Sequence, residues 1–156
     1  MTLGTFPTEF TRPLIAIDKL CAEAYIKDEV IVQSGHTEFQ SEYLQLKPFI
    51  APDELDELTA KARLVITHAG TGSLIKAIKL KKKTIAIARL SKFNEMVDDH
   101  QIEILDEFVK LNYILPWNEN DSLKSLLENI ENFLPSNYIS QKQKIIGFLR
   151  DYIDSN

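Results

Sequence analysis

The sequence has no excess of positive charge, almost no cysteine and no long apolar run, and each absence narrows its possible roles. The formal net charge is -5 over 156 residues, which argues against nucleic acid as a general partner. The single cysteine, Cys21, excludes a disulfide within the chain. No stretch approaches the roughly 20 apolar residues of a membrane span, and no signal peptide precedes the first motif. We therefore expect a cytoplasmic protein.

Length and composition fit one folded domain that covers residues 1–156. The chain is 44% hydrophobic, which excludes a disordered or fibrous protein, and its length is sufficient to bury a core. The three histidines and the cysteine are scattered rather than spaced as ligands. We expect no metal and no other cofactor.

The most informative stretch is residues 64–75. Residues 64–67 are apolar or β-branched, as in a buried strand of a parallel sheet. His68 and two glycines, Gly70 and Gly72, follow, and a helical pattern begins at once. Thr71 and Ser73 are predicted to cap that helix, and its free N–H groups could bind an anion. A tight strand-to-helix turn without a ligand explains the same pattern, so both interpretations stay open at this point.

Predicted strands alternate with predicted helices along the chain. The strands cover the first residues and then 30–34, 45–50, 64–67, 84–88 and 113–115. This alternation predicts an α/β fold with a Rossmann-like, mostly parallel sheet and flanking helices. Ligands of such sheets bind beyond the carboxyl ends of the strands. The turns at Gly4-Thr5, Gly35-His36 and residues 68–73 should therefore gather at one edge.

Two motifs together resemble a known family. They are ARLVITHAGTGS at residues 62–73 and VDDHQ at residues 97–101. The pair resembles the C-terminal, donor-binding half of the family 28 glycosyltransferases. The chain is most similar to its small stand-alone members, the soluble subunits of split UDP-sugar transferases in dolichol-linked glycan and bacterial exopolysaccharide synthesis. The similarity runs from Leu3 to Tyr113, and it implies one half of a GT-B architecture that holds a UDP-sugar.

The resemblance also implies which residues hold the donor. The first glycine turn would approach the diphosphate, and the segment after the third strand would offer its backbone to uracil. The loop at residues 68–73 would face the phosphates and the ribose, and the last two residues of the second motif would reach sugar hydroxyls. The implied donor-binding residues are Gly4, Thr5, Phe49, Ile50, His68, Ala69, Gly70, Thr71, Gly72, Ser73, Lys76, His100 and Gln101.

Lys76 departs from the pattern of the family. Relatives carry an acidic residue there, on the helix after the glycine loop, where it holds the ribose hydroxyls. A lysine donates hydrogen bonds only. Lys76 therefore meets phosphate instead, or the ribose is held otherwise, or donor binding is weakened. Met96 likewise stands where polysaccharide-type relatives often have a histidine.

A complete enzyme of this architecture has two such halves, and the chain supplies one. The resemblance implies a membrane-anchored partner subunit that carries the acceptor half, a lipid-linked acceptor, and a peripheral position at the membrane through that partner. The leading hypothesis is the UDP-sugar-binding subunit of a two-component glycosyltransferase, and no catalytic residue is assigned in this chain. Two alternatives remain: a non-catalytic α/β module that stabilises or recruits a partner, and an unrelated α/β nucleotide-binding or signalling domain.

Three further features each allow two interpretations. The basic cluster of Lys76, Lys79 and Lys81 to Lys83 is either a solvated face or a contact for anionic lipid headgroups. The apolar stripe of a helix predicted at about 140–154 is either core or a partner-docking surface. His36 is either an ordinary turn residue or a ligand contact.

Overall fold

The computed structural model describes residues 1–140 and 142–154 of the chain. Its strands are β1 (Val30–Gln33), β2 (Leu44–Lys47), β3 (Leu64–His68), β4 (Lys83–Ile87) and β5 (Leu115–Pro116). Its helices are α1 (Arg12–Ala22), α2 (Pro52–Lys61), α3 (Thr71–Lys79), α4 (His100–Lys110), α5 (Leu123–Asn132) and α6 (Lys142–Asp154). A 3₁₀ turn, Ser91–Phe93, lies in the loop between β4 and α4.

The centre of the sheet is the N-terminal segment, residues 1–3. Thr2 pairs in parallel with Gln33 of β1 on one side and with Thr67 of β3 on the other. β2 continues the sheet from β1, and β4 and β5 continue it from β3, all in parallel. The order is therefore β2-β1-N-terminal segment-β3-β4-β5, the doubly wound order that reverses between the N-terminal segment and β3. This confirms the predicted Rossmann-like α/β fold.

Two apolar cores cover the two faces of this sheet. Ile85 and Ile87 of β4 belong to a core with α1 and α5, in which Leu14 and Ile130 are buried. Ala86, on the opposite face of the same strand, belongs to a second core with α3 and α4. Successive side chains of β4 thus face opposite sides of the sheet, and the sheet with a helix layer on each side makes three layers.

Two predicted strands differ from the observed ones for local reasons. The strand predicted at 45–50 is β2, which ends at Lys47, because Pro48 has no N–H to donate to a ladder. The strand predicted at 113–115 starts later, because the Tyr113 N–H closes the end of α4 by donating to Phe108 at 3.0 Å. Pairing with β4 begins only at Leu115.

Helix α6 packs into neither core. None of its residues is buried, and its large apolar side chains, including Phe148 at 70% exposure, face solvent. The helix lies within the predicted range 140–154, of which Gln141 is outside the described residues.

Candidate functional site

The candidate site lies where the strand order reverses. The N-terminal segment and β3 are neighbours there, and each ends in a glycine-containing turn, at Gly4 and at Gly70. A crevice at this point of an open parallel sheet is the usual ligand position in such folds. The topology therefore brings together the first and third of the predicted turns.

The His68 ring lies against both glycines. A Cβ added at Gly4 would lie 2.7 Å from the His68 Nε2 atom, and one added at Gly70 would overlap the same ring. The second turn contacts the first at Gly35, because a Cβ there would overlap the carbonyl oxygen of Gly4. Gly4 and Gly35 also have positive φ angles of 84° and 62°, which glycine adopts without strain. The prediction that the three turns gather at one edge is confirmed.

His68 is neutral at physiological pH. The pKa of its ring is lowered to about 4, mainly by burial and also by the positive charge of Arg89, while a hydrogen bond to the Thr2 backbone acts in the opposite direction. The backbone of His68 is fixed as well, since its N–H donates to the Thr2 carbonyl at 3.1 Å. An uncharged ring therefore packs against the two glycine turns.

The N-terminus of α3 points its free N–H groups into the same edge. Leu74 is the first residue of α3 whose N–H donates a helical hydrogen bond, to the Gly70 carbonyl at 3.1 Å. The prediction that Thr71 or Ser73 caps α3 is wrong: Gly70 is the N-cap, and no side chain bonds the first turn. The N–H groups of residues 71–73 have no acceptor among the described residues. A helix start of this kind attracts anions.

A buried ionic network lies behind these turns, and the sequence analysis did not predict it. Arg89 is fully buried and donates to the carbonyls of Leu3, Thr8 and Glu95, each at 3.0 Å. The Glu95 carboxylate binds Arg12 through two hydrogen bonds of 2.7 Å. One sequence feature could have pointed to this network: Arg89 is a charged residue directly after the apolar run of β4, where parallel sheets bind ligands.

His100 and Gln101, both implied sugar contacts, have different surroundings. Gln101 is 6% exposed, and its Oε1 accepts the backbone N–H of Arg89 at 3.1 Å. His100 is exposed at the start of α4, and its Nδ1 lies 3.1 Å from Glu103 Oε2. Gln101 thus belongs to the support of the site, whereas His100 is accessible to a ligand.

The segment implied to contact uracil carries an aromatic pair. Phe49 is exposed, and the His36 ring meets it edge to face, with 5.3 Å between the centroids. The N–H of Ile50 donates to Gln33 Oε1 at 3.1 Å. A base at this segment would have to use other backbone groups of residues 49 and 50.

Lys76 forms an ion pair with Asp56 of α2. Its ammonium group therefore lies beside a carboxylate, which is the group that the resemblance implies for this position. Other lysines of the basic cluster also have partners within the chain: Lys82 donates to the Ala62 carbonyl at 3.0 Å, and Lys83 donates to the Glu131 carbonyl. These contacts favour the interpretation of the cluster as a structural, solvated face.

Other surfaces lack the features of this edge. A cavity of about 690 Å³ lies toward the amino ends of β1 and β3, lined largely by apolar side chains such as Val30 and Leu64.

Across residues 1–140 and 142–154, no three His, Cys, Asp or Glu side chains are grouped so that they could hold a metal ion. None of the helices in that part of the chain combines the length and the apolar character of a membrane span.

Comparisons with known proteins agree with the fold and the motifs. The sequence is 29% identical over 109 residues to the UDP-N-acetylglucosamine transferase subunit ALG13 of Candida albicans, covering 70% of this chain and 36% of that protein. It is 31% identical over 80 residues to the protein of the same name from Yarrowia lipolytica, covering 51% of this chain and 39% of that protein. The chain thus spans less than two fifths of the length of these relatives.

A solved structure shows the same fold. The spinosyn forosaminyltransferase SpnP superposes with a TM-score of 0.51 at 12% identity, over 85% of this chain and 34% of that chain. Such a match supports a Rossmann-like half of a GT-B architecture. The model of the glycosyltransferase family 28 C-terminal domain matches residues 10–154, nearly the whole chain. An unrelated α/β signalling domain is thereby excluded, and the chain belongs to the glycosyltransferase family 28 C-terminal domain family.

Proposed function

We propose that this chain is the UDP-sugar-binding subunit of a two-component glycosyltransferase that acts on a lipid-linked acceptor in polysaccharide or glycan synthesis. The observation that carries the proposal is the convergence of Gly4 and Gly70 on the neutral His68 ring, at the reversal point of the sheet. Because neither glycine has a side chain, the His68 ring packs directly against the backbone of both turns.

The backbone of this edge suits a diphosphate. When the bond to the sugar breaks, negative charge grows on the leaving nucleoside diphosphate, and aimed N–H groups stabilise it. The N–H groups of Gly4 and Thr5, like those of residues 71–73, have no acceptor among the described residues. We assign the phosphates to these groups, the base to Phe49 and Ile50, and the sugar to the neighbourhood of His100.

The acceptor half comes from a second polypeptide in this proposal. The chain provides one α/β half, and its relatives are called subunits. Helix α6 leaves an apolar face uncovered within the described residues, and we assign it to docking of a membrane-anchored partner. The chain would then be cytoplasmic and peripheral at the membrane through that partner, which would supply the catalytic base.

Calorimetry with UDP and UDP-N-acetylglucosamine tests the donor site, with ADP as a specificity control. We expect the chain alone to bind both uridine nucleotides and to prefer them to ADP. Gly70→Ala should weaken UDP binding by about ten-fold or more, because the new methyl group displaces the His68 ring. Gly147→Ala in α6 is the matched control, since an added Cβ there meets nothing within 4 Å.

One result would favour the alternative function. If the folded protein binds no uridine nucleotide, the chain is a non-catalytic α/β module that stabilises or recruits a partner. The ion pair between Lys76 and Asp56 supports this alternative, because it occupies the position of the family's ribose-binding acid. In that case Lys76→Glu should restore binding.

A further inference from the structure

Arg89 carries a buried charge that no carboxylate touches. Its two terminal nitrogens donate to neutral acceptors: the Leu3 carbonyl, the Thr8 carbonyl and hydroxyl, and the main-chain carbonyl of Glu95. The Glu95 carboxylate is occupied elsewhere, by Arg12 and by the Leu90 N–H. Two arginines thus share one acid, and the network keeps one positive charge in excess.

The surroundings of Arg89 make this charge unusual. The side chain is 0% exposed, and its guanidinium carbon lies 4.8 Å from the centroid of the Phe10 ring. Its Nε is buried without a hydrogen-bond partner in the described residues. A buried charge with neutral partners is costly unless something else compensates for it. The charge acts on the site, since it lowers the pKa of His68.

The bond to Leu3 sets the direction of the next amide. In a trans peptide the C=O and the following N–H point in opposite directions. Because the Leu3 carbonyl is held by Arg89 Nη2 at 3.0 Å, the Gly4 N–H points away from the arginine. That N–H has no acceptor among the described residues. A charged donor on the carbonyl also polarises the peptide and strengthens its N–H as a donor.

From this geometry we propose that Arg89 is a positioning residue for the donor diphosphate: it orients the Leu3–Gly4 peptide toward the phosphates and supplies the buried positive charge that balances them. The inference rests on the proposed function. It assigns to the network a role that depends on charge, beyond joining the N-terminal turn to the β4–α4 loop.

The test compares UDP with uridine, which shares the base and ribose but has no phosphate. Binding of both is measured by calorimetry or NMR titration in the wild type, Arg89→Met and Arg89→Lys. The preference for UDP over uridine should fall by about ten-fold or more in Arg89→Met, the effect of losing a charge-assisted contact. It should fall by about three-fold in Arg89→Lys, which keeps the charge but loses the forked geometry.

Arg63→Met is the matched control. Arg63 is a half-exposed arginine near the opposite end of β3, paired with Asp28 and Glu131. Its loss changes the net charge of the protein by the same unit, and the preference for UDP should not change. A general loss of structure would weaken uridine and UDP alike, whereas the proposed role weakens UDP selectively.

The outcomes separate the two proposals. If the wild type binds no UDP, the proposed function fails. If the wild type binds UDP and a folded Arg89 variant keeps the full preference over uridine, the role of Arg89 is refuted. Should Arg89→Met not fold, Arg89→Lys decides by the same ratio. An NMR titration of His68 adds a second readout: its pKa should rise in Arg89→Met and stay low in Arg89→Lys.

Discussion

Helix α6 and the turns around His68 differ in which side chains they bury and which they expose. Around His68, charged and polar side chains are buried and bonded: Arg89 is 0% exposed and Glu95 is 4% exposed. In α6, large apolar side chains are exposed, including Phe148 at 70% and Ile153 at 71%. The first region contradicts the usual preference for exposed charge, and the second contradicts the usual preference for buried apolar groups.

The difference shows which of the two regions is held in place by contacts within this chain. Around His68, hydrogen bonds between residues distant in the chain hold the backbone of the turns, so the geometry of these turns needs no second polypeptide. Helix α6 has an apolar face without a counterpart in the described residues. Function at the first region should therefore be a property of this chain alone, and function at the second should require another surface.

The largest expected effect is on stability at Gly35, in the turns around His68, and its counterpart in α6 is Gly147. Gly35→Ala should destabilise the protein by about 3 to 4 kcal/mol, because the methyl group overlaps the Gly4 carbonyl and alanine is strained at positive φ. Urea denaturation measures the change. A loss below about 1 kcal/mol would mean that the turns are loosely packed, and the contrast with α6 would disappear.

The pH dependence of stability tests the buried histidine. The folded pKa of His68 is about 4, below its ordinary value of 6.5, so the unfolded chain takes up the proton first as the pH falls. This contribution to the unfolding free energy is complete above pH 6.5 and is lost progressively toward pH 4, by at most about 3 kcal/mol. Arg89 is the charged group that acts on the ring, and it stays charged throughout.

Denaturation at several pH values in the wild type and in His68→Gln isolates this effect. Carboxyl groups titrate in both proteins, so their contribution cancels in the difference. The variant should lose less stability between pH 6.5 and 4. Equal losses would show that the ring is accessible to protons in the folded state, and that the turns around His68 are more open than their packing indicates.

Local patterns were sufficient to predict the fold and the gathering of the turns that form the candidate site. The apolar run at β3, the glycines after it and the alternation of strands and helices predict a parallel sheet with turns at one edge, as observed. The strand order itself depends on long-range pairing of Thr2 with Gln33 and Thr67, which no local pattern encodes. The ligand class predicted from the family motifs, a UDP-sugar, stays a prediction.

The support of the site could not be predicted in the same way. Arg89 lies in a stretch without periodicity, and its partners Leu3 and Thr8 are more than 80 residues away in sequence. Whether an arginine is buried depends on such distant acceptors. The capping prediction failed for a related reason, because Gly70 and not a hydroxyl side chain takes the N-cap position when His68 packs against it.

A smaller effect is expected at the second glycine of the comparison. Gly147 lies inside α6, and a Cβ added there meets nothing within 4 Å. Gly147→Ala should raise the helix propensity of α6 by about 0.5 to 1 kcal/mol. Circular dichroism should show unchanged or slightly higher helicity. A marked loss of stability would mean that α6 packs against this chain in solution.

The smallest effect is expected at Phe148, and it addresses the face of α6 directly. Phe148→Ser removes a 70% exposed side chain, so the unfolding free energy should change by about 0.5 kcal/mol or less. The same substitution should weaken any association made through α6, because exposed aromatic side chains become anchors when a partner covers them. The membrane-anchored partner subunit of the proposed function is the protein to test in a pull-down. Unchanged capture of Phe148→Ser would mean that the partner docks elsewhere. A loss of unfolding free energy above about 1.5 kcal/mol in the isolated chain would place the α6 face inside the fold and remove the contrast with the turns around His68.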